Sequence, residues 1–169
     1  RHKTKYINET KRVSFKYDGK NYFGYEGDTL ASALLANGVH LIGRSFKYHR
    51  PRGIMSCGSE EPNAICQISD KNDLTEPNVR ATELEIYDGL EAFSQNCWPN
   101  VKFDIGGINN LISPLIPAGF YYKTFMWPKS FWKKVYEPLI RMSAGLGKSP
   151  TEPDPDIYDH KYVHYDVLV

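Results

Sequence analysis

Cysteine is scarce in this chain: Cys57, Cys66 and Cys97 are the three thiols among 169 residues. Three thiols make no even disulfide framework, and without a secretory leader they read as reduced thiols of a cytoplasmic protein. The start, Arg1-His2-Lys3-Thr4-Lys5-Tyr6, is basic with no apolar run behind it, which argues against such a leader. The sequon Asn8-Glu9-Thr10 therefore carries no weight. Charge of one sign is lacking as well. A net charge of +1 gives no field that would draw the chain onto nucleic acid or an anionic membrane. No apolar run approaches the roughly 18 residues that a membrane-spanning helix needs, so no membrane partner is expected.

Several catalytic signatures are missing. Gly43-Arg44-Ser45-Phe46-Lys47 lacks the second glycine of a nucleophile elbow. Gly147-Lys148-Ser149 ends like a phosphate-binding loop, but Met142 stands where its first glycine belongs, and a helix precedes it instead of a strand. No C-x₂-C or H-x₃-H pair joins Cys57, Cys66, Cys97, His40 and His49, so structural zinc is not expected. Glu60 and Glu61 are adjacent, and neighbours on extended chain face opposite sides, so they are badly placed to share a substrate. No catalytic residue, metal ligand or firm cofactor ligand emerges.

What is present is an ordinary globular composition, 41% hydrophobic and 24% charged, with an excess of aromatics: 12 Tyr and 8 Phe. A chain of this length can bury a core, and aromatic side chains with a polar end suit interfaces. Residues 1–11 form a polar lead-in. Val13, Phe15 and Tyr17 alternate with Ser14 and Lys16, and Asp18-Gly19 then predicts a hairpin into a strand over 20–25. A helix is predicted over 28–38, with Asp28 as its cap, Leu and Ala in its body, and Asn37-Gly38 closing it. Strands are expected at 64–69 and 79–86, with a polar loop at 70–77 between them and a further short run ending near Ser94. Hairpin followed by helix is how a β-grasp domain opens. The expected fold is thus α+β, a ferredoxin-like β-grasp over 12–98.

The texture changes after residue 98. Prolines and aromatics over 99–128 predict an irregular wrap. A helix is predicted over 130–144, interrupted where Pro138 lacks its backbone donor. Residues 99–148 are thus a wrap plus helix. Residues 149–169 are a proline-rich linker leading into Asp166-Val167-Leu168-Val169, which reads as the first strand of a nucleotide-binding domain. With a first residue other than Met and an apolar last run, a piece of a longer polypeptide is expected.

Two segments carry possible chemistry. Arg44, Lys47, His49, Arg50 and Arg52 crowd the loop 43–53, a candidate anion-binding or interface loop; the alternative is a solvated loop whose arginines pair with carboxylates such as Glu60 and Glu61. Its interleaved aromatics would suit single-stranded nucleic acid, which the near-zero net charge disfavours. The second segment, residues 56–66, lies where a plant-type ferredoxin carries C-x₄-C-x₂-C. Counting from Cys57, the next ligands would fall at 62 and 65, but those positions are Pro62 and Ile65. Cys66 is one residue late and would point to the other side of its strand. A normal cluster takes four thiolates, so Cys57 and Cys66 read instead as packing residues.

Several long motifs resemble the amino-terminal region of the alpha subunits of heterotetrameric sarcosine oxidases. They are Gly27-Asp28-Thr29-Leu30-Ala31-Ser32-Ala33-Leu34-Leu35-Ala36-Asn37-Gly38-Val39, the whole loop from Gly43 to Gly53, and Glu60-Glu61-Pro62-Asn63-Ala64. Further on, Pro117-Ala118-Gly119-Phe120-Tyr121-Tyr122-Lys123-Thr124-Phe125, Tyr136-Glu137-Pro138-Leu139-Ile140-Arg141 and the closing stretch from Tyr158 resemble the same subunits. The resemblance implies an enzyme that oxidatively demethylates sarcosine to glycine with hydrogen peroxide, passing the one-carbon unit to tetrahydrofolate. It implies FAD, FMN, NAD and zinc elsewhere in the complex and none in this piece. The implied partners are the rest of the alpha subunit and the other subunits. Related amine and opine dehydrogenases carry a similar domain with a real iron–sulfur cluster, which leaves an electron-transfer domain, or an anion-binding module, as the alternatives.

Overall fold

A computed structural model describes residues 5–69, 75–115, 127–143, 145–147, 149–154 and 157–167. Residues 116–126 of the expected wrap, 70–74 of the expected loop and 155–156 of the expected linker lie outside the described residues, and with the first of these the Pro117-to-Phe125 motif.

β1 (Asn8–Tyr17) and β2 (Lys20–Glu26) form an antiparallel hairpin. Asp18 and Gly19 both take positive φ, 47° and 74°, as a two-residue turn matched to strand twist requires. β1 starts at Asn8, inside the stretch read as a polar lead-in. Its first residues are held from the side by Glu26, which pairs with Lys11 and accepts from the Asn8 amide. Val13, Phe15 and Tyr17 then put one face of β1 into the core.

Helix α1 (Leu30–Ala36) packs on the sheet through Leu30, Ala31, Ala33 and Leu34. Its cap is Thr29, not Asp28: the Thr29 hydroxyl accepts from the Ser32 amide at 3.2 Å. Asp28 is fully buried one step earlier, where its carboxylate accepts from the Tyr25 amide at 2.9 Å and the Ser32 hydroxyl at 2.7 Å. It fastens β2 to α1. Gly38 takes φ 76° just past the helix end, where the Val39 amide returns to the Leu34 carbonyl.

The sheet order is β2-β1-β7-β5-β6, with β5 (Ile65–Ser69), β6 (Thr75–Arg80) and β7 (Leu90–Ser94). β1 and β7 run parallel at its centre, and the other pairings are antiparallel. A mixed sheet with one helix laid across it is the β-grasp arrangement. β6 comes earlier than the strand expected at 79–86. Residues 75–77, read as loop, pair with β5, while 81–83 turn away from the sheet. Ile86 still reaches the core, but from a coil segment, so its burial had imitated a strand residue. β3 (Gly43–Arg44) and β4 (Pro51–Arg52) pair as a two-residue ribbon within the basic loop.

Beyond residue 98 the described chain forms short turns, α2 (Ile108–Leu111), and a helical run ending in α3 (Glu137–Ser143). Residues 132–136 of that run are π-helical, immediately before Pro138. Pro138 cannot donate to the carbonyl four residues back, so the wider turn absorbs the lost bond. Residues 157–167 form no strand and lie exposed; Leu168 and Val169 of the expected nucleotide-binding strand lie outside the described residues. No described strand is there to pair with them. Among the described residues, no helix is long and apolar enough to cross a membrane.

Candidate functional site

The basic loop does not gather its charges on one point. Arg44 turns inward: Nε and Nη2 donate to the Val101 carbonyl at 2.8 and 2.6 Å, Nη2 also to that of Lys102, and Nη1 to that of His49. Its five-donor fork is thus spent on main-chain carbonyls. His49 takes φ 52° and sets its Nδ1 2.6 Å from Asp104, whose carboxylate is nearly buried. Asp104 also accepts from the Trp98 and Gly106 amides. Gly106 stands where any Cβ would collide with the His49 ring. Arg50 stacks on Tyr48 and donates to Asn110, and the Lys47 ammonium also lies over the Tyr48 ring. None of these arginines pairs with Glu60 or Glu61 among the described residues, which corrects the ion pairing weighed from sequence. Apart from the His49 carbonyl, the hydrogen-bond acceptors of Arg44 and Arg50 are the Val101 and Lys102 carbonyls and the Asn110 carboxamide, so the loop ties the sheet domain to that segment.

Arg52 differs. It is exposed and lines a cleft of about 340 Å³ together with Gly43, Ser45, Asn63, Ile65 and Asn96. The far wall is Gly145-Leu146, where Gln95 donates to the Gly145 carbonyl and Asn78 accepts from the Gly147 amide.

The cysteine segment splits by environment. Cys57 is exposed. Cys66 lies in the core beside Tyr17, and burial, with the nearby Asp18 charge adding to it, pushes its thiol up to about 12. Ile65 faces the other way, into the cleft, as strand alternation requires. Cys97, half buried, is 3.3 Å from the Ser94 hydroxyl, and burial raises its pKa. His40 is exposed. No three His, Cys, Asp or Glu side chains converge as a metal site among the described residues.

Glu60 is exposed while Glu61 is buried, so the two do not form a pair. Glu61 Oε2 accepts from the Met55 and Ser56 amides at 2.7 and 2.6 Å; Oε1 accepts from those of Asn63 and Ala64 at 2.7 and 3.1 Å. Burial opposes its charge, but the four amides outweigh burial and hold its carboxyl below the ordinary Glu range. Sequence reading weighed Glu61 only as half of a carboxylate pair or as an arginine partner, and missed this role. The local half has a signal, since a side-chain acceptor serving amides two and three residues on follows capping logic; the Met55 and Ser56 half has none. Asp104 was missed too, being 55 residues from His49.

Compared with known proteins, residues 10–97 match the family described as a 2Fe-2S iron-sulfur cluster binding domain. The chain is 59% identical over 157 residues to sarcosine oxidase subunit alpha of Rhizobium meliloti (strain 1021), covering 93% of this chain and 16% of that protein. It is 30% identical over 165 residues to the subunit of the same name from Corynebacterium sp. (strain U-96), covering 96% and 12%. The subunit from Corynebacterium sp. (strain P-1) is 32% identical over 154 residues, 90% and 11%. This chain therefore spans no more than 16% of the length of these relatives. A crystal structure of L-proline dehydrogenase from P. horikoshii matches with a TM-score of 0.42 and 23% identity, over 57% of this chain and 18% of that one.

The cluster in the family's description does not fit the donors here. Four thiolates are needed and the sequence has three. One of those, Cys66, is held as a buried neutral thiol on the core side of β5.

Proposed function

Since the chain belongs to the 2Fe-2S iron-sulfur cluster binding domain family and is homologous to sarcosine oxidase alpha subunits, we propose that it is a non-catalytic, cluster-free domain of such a subunit. The whole enzyme oxidises the N-methyl group of sarcosine with oxygen and water, yielding glycine, hydrogen peroxide and a one-carbon unit for tetrahydrofolate. FAD, FMN, NAD and zinc belong to other parts of the assembly in this reading. This domain's part is scaffolding, packed against the rest of its own subunit and the neighbouring subunits. The observation that carries the reading is 59% identity over nearly the whole chain to one such subunit.

The expected result is sarcosine-dependent oxygen uptake and peroxide release by the full-length protein purified with its partner chains. Activity on another secondary amine, with none on sarcosine, would move the protein to a different oxidase or dehydrogenase. The outward-facing part of the basic loop, Arg50 and Arg52, is proposed as the contact region. Replacing Arg50 and Arg52 together by Ala is expected to reduce co-purification of partner chains or flavin content. Unchanged subunit ratio and flavin absorbance would remove the loop from the interface.

A second reading, an iron–sulfur electron-transfer domain, is favoured by the family's description alone. It predicts visible absorbance beyond that of flavin and stoichiometric iron.

A further inference from the structure

Glu61 has surroundings that a buried carboxylate rarely finds without a cation. It is 1% exposed, and no Lys, Arg or His pairs with it among the described residues. Main-chain amides of residues 55, 56, 63 and 64 converge on its two oxygens from both ends of a short loop, and the Ser56 hydroxyl stands at 3.5 Å. The loop closes on itself through the Glu61 amide, which donates to the Gly58 carbonyl; the Thr82 hydroxyl donates to the same carbonyl at 2.7 Å and Gly58 takes φ 102°. Concavities of convergent main-chain amides bind anions, phosphates and iron–sulfur centres among them. An unfilled cradle of this kind would leave four converging donors, that of Ala64 fully buried, without their acceptor. An isolated buried carboxylate would be as costly. Here each group supplies what the other lacks.

We propose that residues 55–64 form an anion-binding nest whose ligand is the chain's own Glu61 carboxylate, so that this loop is shaped around a built-in organic anion. The ligand class is set by the geometry: a planar anion with two oxygens, each taking a pair of amides. The loop needs no metal to hold its course, and the cradle is closed to external anions while Glu61 is present. This inference stands on the loop alone and does not depend on the enzyme's substrate.

Amide hydrogen exchange on the full-length protein in its assembly, followed in peptides covering 55–64, tests it. In Glu61→Ala, exchange in this segment should rise about tenfold or more, since hydrogen bonds to a charged acceptor are the stronger class. Sodium formate should restore protection saturably, while sodium chloride at equal ionic strength should not. Glu61→Gln keeps the shape but offers one acceptor oxygen. One amide pair, 55/56 or 63/64, should therefore lose protection while the other keeps it, which holds the test open should the Ala variant not fold. A chelator should leave the wild-type pattern unchanged. Wild-type protection in both variants, formate acting no differently from chloride, or loss of protection on chelation would each overturn the proposal.

Discussion

Cys57 and Cys66 are nine positions apart, yet they present opposite chemistry. Burial holds the Cys66 thiol near 12, so at neutral pH it carries its proton and no alkylating reagent reaches it. Cys57 is open to solvent. Iodoacetamide under native conditions is expected to modify Cys57 and spare Cys66 until denaturant is added, as read by peptide mass spectrometry; equal labelling would contradict the buried placement. Glu61 supplies a pH dependence. Its folded pKa lies below the ordinary 4.5, so the unfolded state binds the proton more readily. The resulting stability is present above the ordinary Glu pKa and is lost as pH falls through the lower folded value. Melting temperature should therefore drop more steeply below about pH 4.5 in wild type than in Glu61→Gln, which has nothing to titrate there. Parallel profiles would show that the carboxylate does not contribute. At this scale the sequence told which face Cys66 takes, because strand alternation is a two-residue rule. It did not tell what Glu61 binds, because half of its donors are set by where the loop returns.

The elements most legible in advance were those specified by adjacent residues. Asp-Gly fixed the first turn, and Leu and Ala with Asn37-Gly38 fixed α1 and its end. The error at the start of α1 has a physical basis: Asp28 and Thr29 are both competent caps, and depth chose between them. Thr29 stands at the first free amides, while Asp28 sinks to zero exposure and bridges β2 to the helix. Their substitutions should differ accordingly. Thr29→Ala is expected to cost about 1 kcal/mol, the usual price of a lost cap. Asp28→Ala removes an acceptor from a buried amide and a hydroxyl, and should cost roughly 2–4 kcal/mol. Urea denaturation followed by circular dichroism measures both, and a larger loss for Thr29→Ala would show that the buried bridge through Asp28 contributes less than the cap. β6 was misplaced for a related reason: its 75–77 residues carry Pro77 and polar side chains, and only pairing with β5 makes them a strand.

Across the whole molecule, the sheet domain and the 97–110 segment meet through polar atoms. Arg44 binds the Val101 and Lys102 carbonyls, and His49 meets Asp104. These contacts join residues more than fifty positions apart, which no local pattern announces; the sequence offered the basic loop but not its partners. What it did offer at this scale was a count of sulfur. A [2Fe–2S] centre needs four thiolates and about two irons per chain. This chain brings three cysteines to the whole fold: one exposed, one buried in the core as a neutral thiol, and one beside Ser94. Full-length protein expressed with its partners and purified without oxygen should therefore hold far less than one iron per chain. Incubation with ferrous iron and sulfide, followed by desalting, should leave that value unchanged and add no absorbance beyond that of flavin. Stoichiometric iron with matching acid-labile sulfide would mean that a ligand other than cysteine, or a partner chain, completes the site, and the scaffold reading would give way to electron transfer.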